Sequence, residues 1–149
     1  MRAALSAMTV LFTGALIGAG AGVGAGAATA EPAPPAPSSE QLQAQLQKVL
    51  DRGLSDEERA GELQGGLAAV PTANNIASVM DQYSSMMSWQ VQNATLNGDQ
   101  VDAQLAVTIP VFGTKTHPIY WVNQDGSWKL SNPSACVIAT LAAGTTCAV

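Results

Sequence analysis

His117 is the one histidine in the chain, so any Ser-His-Asp or Cys-His nucleophilic machine would have to run through it. It follows Lys115 and Thr116 and precedes Pro118 in an extended stretch, and no G-x-S-x-G elbow offers a nucleophile. The pattern fits a surface histidine at a sheet edge. Asp56, Glu57 and Glu58 could pair for acid–base work or hold a cation. Ser55 precedes them, however, and a helix start of the form S-D-E-E accounts for all three through the helix dipole. Asp99, Asp102 and Asp125 fall at turns, without the D-x-D-x-D-G order of a calcium loop. An isomerase-like site needs an Asp base and Tyr donors, for which Asp81, Tyr83 and Tyr120 are the available set. Asp81 lies beside Met80 on a helix and is expected to face solvent. Phosphate-binding and dinucleotide fingerprints are absent from the mature part of the chain. Asn93-Ala94-Thr95 matches a glycosylation sequon, a pattern of low specificity. No catalytic residue, metal site or cofactor is assigned.

What Cys136 and Cys147 can do depends on the compartment. Residues 1–30 carry one charge, Arg2, then an apolar stretch from Ala3 to Ile17, a Gly/Ala run, and Ala28-Thr29-Ala30 before Glu31. A basic start, an apolar middle and small residues at −3 and −1 read as a secretory signal peptide. Six glycines between Gly14 and Gly26 argue against a retained membrane span, so no integral membrane segment is expected after cleavage. In an exported protein two cysteines read as one disulfide, Cys136–Cys147. Free thiols and metal ligation are the alternatives, and two cysteines eleven apart with one distant histidine lack the close spacing of a zinc site.

Trp and Met side chains offer a different chemistry, the binding of an apolar ligand. Met80, Tyr83, Trp89, Trp121 and Trp128 are the candidate pocket liners, and filling the core between helix and sheet is the competing use of the same residues.

The composition narrows the partners. Six basic and eleven acidic residues among 149 give a net charge of −5, which argues against nucleic acid, whose phosphates call for clustered Lys and Arg. Without the leader the balance is −6 on 119 residues, five basic against eleven acidic. Charged residues then make up 16 of 119, well under the roughly 25% of an average soluble domain, with Asn, Gln, Ser and Thr taking their place.

The elements that must position these residues follow in order. Residues 31–38 form a Pro/Ala-rich linker with polyproline character. The domain spans 39–149. Ser38 and Gln41 fit a capping box before Leu42, Leu46, Val49 and Leu50, while glutamines cover the outer face. A short acidic helix starts after Ser55 and runs out at Gly65-Gly66. A third helix, after Pro71 or Thr72, carries Ile76, Val79, Met80 and Tyr83 on one stripe. The period then changes to two: Trp89 and Val91, a turn at Asn97-Gly98-Asp99, the alternation Val101 to Ile109, a turn near Phe112-Gly113-Thr114, Ile119 to Val122, and Trp128 with Leu130. Pro110 and Pro118 each predict a bulge or strand end. A closing helix follows Pro133 and stops at Gly144. The class is α+β: N-terminal helices packed on a curved four-stranded antiparallel sheet, with a short disulfide-tied C-terminal helix.

The stretch Ile119-Tyr120-Trp121-Val122-Asn123-Gln124-Asp125-Gly126-Ser127-Trp128-Lys129-Leu130-Ser131 resembles the low-molecular-weight secreted antigen family of mycobacteria and related actinobacteria. The order before it is similar too: leader, Pro/Ala spacer, Gln41-Leu42 to Leu46 helix, acidic helix, Gly-Gly. The resemblance implies a cystatin-like, nuclear-transport-factor-like cone, export to the culture fluid or cell envelope, and recognition as an antigen. It brings no established catalytic activity, so none is carried over. The leading expectation is a secreted, non-enzymatic protein. A binding module for a small apolar ligand or lipid and an isomerase- or hydrolase-like enzyme are its rivals. A closed core favours the first, a cavity above roughly 300 Å³ with few polar groups the second, and a buried Asp the third.

Overall fold

Capping chemistry opens the first helix. Helix α1 spans Ser39–Leu50: the Gln41 N–H donates to Ser38 Oγ (3.3 Å), and the Ser38 N–H donates back to Gln41 Oε1 (2.8 Å). The computed structural model describes residues 34–145 and Cys147, so the leader reading and the first residues of the spacer lie outside the described residues. Leu42, Leu46 and Val49 form the buried stripe of α1. Helix α2 (Asp56–Ala60) repeats the device, with Glu58 answering Ser55. It is shorter than predicted: after Gly61 the chain turns, and Leu63 makes a parallel bridge to Leu130. A 3-10 turn (Gly66–Ala69) leads directly into α3 (Val70–Tyr83), which starts at Val70, ahead of the predicted Pro71.

Four antiparallel strands follow in the order β1 (Ser88–Asn97), β2 (Gln100–Ile109), β3 (Gly113–Gln124) and β4 (Ser127–Leu130), each beside its sequence neighbour. Helix α4 (Asn132–Ala143) ends at Gly144, which adopts the left-handed conformation of a glycine cap. The α+β class and the Cys136–Cys147 disulfide, with Cα atoms 5.1 Å apart, are therefore as expected. The bulge is not. Pro110 lies just past the end of β2, but Pro118 sits inside β3, paired with Gln104 in unbroken register. There β3 has only β2 beside it, because β4 reaches no further than Trp121 to Gln124, so the missing N–H interrupts no second ladder. The bulge falls in β1 instead, where Asn93 and Ala94 stand opposite Ala103 and Asn93 takes a φ of 57°.

One face of the sheet meets the helices. Val91, Val101, Ala103, Leu105, Ile119 and Trp121 are buried there against Leu42, Leu46, Val49, Ile76 and Ile138. Strand β1 is an edge, and α1 covers it. The Val91 N–H donates to Gln43 Oε1 (2.6 Å) and the Ala94 N–H to Ser39 Oγ (3.0 Å). Gln43 and Ser39 of α1 are thus working parts rather than an outer coat, since they satisfy strand amides that would otherwise stay open for pairing, while Gln41 and Gln47 remain exposed.

The segment that carried the resemblance is a structural joint. Trp128 is buried and its Nε1 donates to the Pro35 carbonyl (3.1 Å), which ties the end of the spacer to the domain. The Leu130 N–H donates to the Glu62 carbonyl, and the Leu130 carbonyl accepts from the Gln64 N–H. Ser131 caps α4, and Ser134 Oγ accepts the Tyr120 N–H (2.7 Å), so two buried serines weld α4 to β3. Arg59, 2% exposed, does the same for the helices: its Nε donates to the Val49 carbonyl (2.8 Å) and its guanidinium donates to Asn74 Oδ1 (2.6 Å).

Candidate functional site

The opposite end of the domain is not closed. A groove of about 530 Å³ lies between the last turn of α3, the far end of β2 and the last turns of α4. Helix α3 supplies Val79, Met80 and Tyr83, the amphipathic stripe running on past the point where the sheet covers it. The turn between α3 and β1 adds Met86 and Met87, whose flexible thioethers adapt to irregular shapes. Leu105, Val107 and Ile109 form one wall from β2, and Ile138, Leu141 and Ala142 form another from α4. Ser85 and the Tyr83 hydroxyl are the polar side-chain groups among these walls.

A second lobe of about 360 Å³ adjoins the first and shares Val107, Ile109, Phe112 and Leu141 with it. Its remaining lining is Gly113, Lys115 and His117. The β2–β3 register sets Lys115 beside Val107 and His117 beside Leu105, on the helix-facing side of β3. His117 does lie where β3 is a sheet edge, but it is half-buried and turned toward the groove rather than a bland surface residue.

The hairpin tip between β2 and β3 borders both lobes. The Phe112 N–H donates to the Ile109 carbonyl (3.1 Å), with Pro110 and Val111 in the central positions. Proline followed by a residue of positive φ is the pattern of a type II turn, which prefers Gly or Asn in the second place. Here Val111 holds that place, with φ 76° and full exposure. Phe112 is 78% exposed, and Tyr83, Met86, Ile109 and Leu141 are exposed around it.

Of the candidate pocket residues, Met80 and Tyr83 line the groove. Trp89, Trp121 and Trp128 line neither lobe. Trp121 is fully buried in the core, Trp128 is held by Pro35, and Trp89 packs against the core from β1. All three belong to the core or pack against it, away from both lobes. The residues missed (Leu105, Val107, Ile109, Phe112, Met86 and Leu141) had one legible signal. Ile109-Pro110-Val111-Phe112 is an apolar run in a turn, where polar residues belong.

The acid–base set does not assemble. Asp81 is exposed and pairs with Arg52, Tyr120 stands on β3 opposite Asp102, and Tyr83 alone borders the groove. The resolved pKa shifts lie elsewhere: hydrogen bonds from the Ser55 backbone and hydroxyl lower Glu58, those from Asn97 and Gln100 lower Asp102, and the Glu62 carboxylate raises Lys48. Among the described residues no group of three His, Cys, Asp or Glu could hold a metal, and no helix is long and apolar enough to cross a membrane.

Neither a curated protein nor a solved structure matches the chain. The family model described as low molecular weight antigen MTB12, C-terminal domain, matches residues 35–146. That span takes in the capped α1, all four strands, the welded W-x-L-S segment and both lobes of the groove, and the chain belongs to the low molecular weight antigen MTB12 family.

Proposed function

We propose that this protein is an exported, non-enzymatic binding module of the extracellular space or cell envelope, holding an apolar ligand at the open end of a cystatin-like cone. The groove carries the reading. A cavity of about 530 Å³ walled by aliphatic and Met side chains lies in the usual range for small-molecule sites, and its few polar groups suit orientation rather than catalysis. Export is supported by the leader pattern and by a disulfide of the kind that oxidising compartments maintain. The cone is supported by helices packed on one face of an antiparallel sheet. Recognition as an antigen concerns a host; the groove concerns the protein's own work.

Native mass spectrometry of the protein purified from its own host tests the reading, with a co-purifying apolar mass as the expected result. In vitro, a series of straight-chain ligands should gain about fourfold in affinity per methylene until the groove is full, the equivalent of roughly 0.8 kcal/mol each. Leu141→Glu, which sets a carboxylate between the two lobes, should abolish binding while leaving the fold intact. Ligand-free protein that binds no member of the series would overturn the proposal.

A further inference from the structure

The two lobes differ in chemistry, and the difference specifies the ligand. The larger has no cation and no carboxylate in its lining, while the smaller has Lys115 and His117 and again no carboxylate. The chain is acidic overall, and among the described residues the other cations are engaged or remote. Lys48 pairs with Glu62, Arg52 with Asp81 and Arg59 with Asp56, while Lys129 lies on the outer face of β4, opposite Trp128. Among the described residues no carboxylate pairs with Lys115. An acidic protein thus keeps an unmatched ammonium and an imidazole side by side at the end of an apolar slot. A neutral ligand gains from them only weaker hydrogen bonds, and a cationic one is repelled by Lys115. An anion gains charge-assisted hydrogen bonds from both, and an anion with an acyl chain fills both lobes, because they share their walls.

Building on the proposed binding role, we infer that the ligand is a single-chain amphiphile with an anionic head, its chain in the larger lobe and its head against Lys115 and His117. The test uses a neutral fluorescent reporter, N-phenyl-1-naphthylamine, displaced at neutral pH from the purified protein by three sixteen-carbon competitors: hexadecanoate, hexadecanol and hexadecyltrimethylammonium. Hexadecanoate should compete at least about tenfold more strongly than the alcohol, as expected of hydrogen bonds to a charged group, and the ammonium should be weakest. Lys115→Gln combined with His117→Gln should shrink the acid-over-alcohol ratio to under about threefold. Lys129→Gln, outside the groove, should leave that ratio as it is. Equal competition by acid and alcohol, or an acid preference that survives the double substitution, overturns the inference while the apolar groove stands. A reporter that fails to bind, or native mass spectra showing only a dimer that takes up no competitor, overturns the groove reading and this inference together.

Discussion

The two ends of this domain are built on opposite principles. At one end, β4, the start of α4, the Glu62–Gln64 segment and the spacer are joined by backbone and hydroxyl hydrogen bonds around a buried Trp128. At the other, the last turns of α3 and α4 and the β2–β3 tip part around a groove, with Phe112 and Val111 in solvent. The stretch that carried the resemblance belongs to the first end and the proposed binding surface to the second. A resemblance can therefore rest on residues that hold the scaffold together, while the groove is made of ordinary aliphatic residues that form no motif.

Paired substitutions give the sharpest test of this contrast. Trp121→Ala should cost about 3–5 kcal/mol in denaturant unfolding, as for other fully buried large side chains, whereas Phe112→Ala at the open end should change stability by less than about 0.5 kcal/mol. Similar losses at both positions would erase the distinction. Next in size is the disulfide. Replacing both Cys136 and Cys147 with Ser should lower stability by up to roughly 3 kcal/mol on the chain-entropy account. It should also weaken ligand binding, because Leu141 and Ala142 lie inside the loop it closes. Thermal melts and reporter titrations of the same sample separate the two effects.

A smaller gain is expected at the hairpin tip. Val111→Gly should raise stability by about 1 kcal/mol, since a β-branched residue in the left-handed region is strained and glycine is not. Unchanged or lower stability would show that the turn does not hold Val111 in that conformation. The smallest effect concerns pH. The Glu58 carboxylate is lowered by its capping bonds, so its contribution is complete above the ordinary value of 4.5 and is lost as the pH falls through the lower folded value. Glu58→Gln, which keeps a capping acceptor without the titration, should flatten that part of an acid-unfolding curve. A curve identical to that of the parent would remove Glu58 from acid sensitivity.

How much was legible follows from the same physics. Capping boxes are local, so Ser38–Gln41 and Ser55–Glu58 could be read directly, as could the long alternation of β2. Trp89, Trp121 and Trp128, named as pocket liners with core filling as the competing use, belong to the core or pack against it. Parity tells which face of a sheet a side chain takes, not whether a helix lies over it. Leu105 and Val107 share the face of Trp121 yet line the groove, because α1 packs along β1 and α4 along β3. The bulge was misplaced for a related reason. A proline forbids a hydrogen bond only where a neighbouring strand requires one, and pairing partners are not visible in a single strand's sequence.

The glutamines and serines at the seam between helices and sheet have a consequence for the environments this protein can tolerate. Gln43 with Val91, Ser39 with Ala94 and Ser134 with Tyr120 contain no ionisable group, while Lys48–Glu62 ties α1 to the turn after α2, Arg52–Asp81 ties the turn after α1 to α3, and Arg59–Asp56 lies within α2. Acid or high salt therefore acts first on the contacts among the helices and their turns, and reaches the sheet where Gln45 bridges the Glu62 carboxylate and the Trp128 carbonyl. That arrangement is a form of insulation: three of the bonds that fasten helix to sheet contain no group that the surrounding medium can titrate.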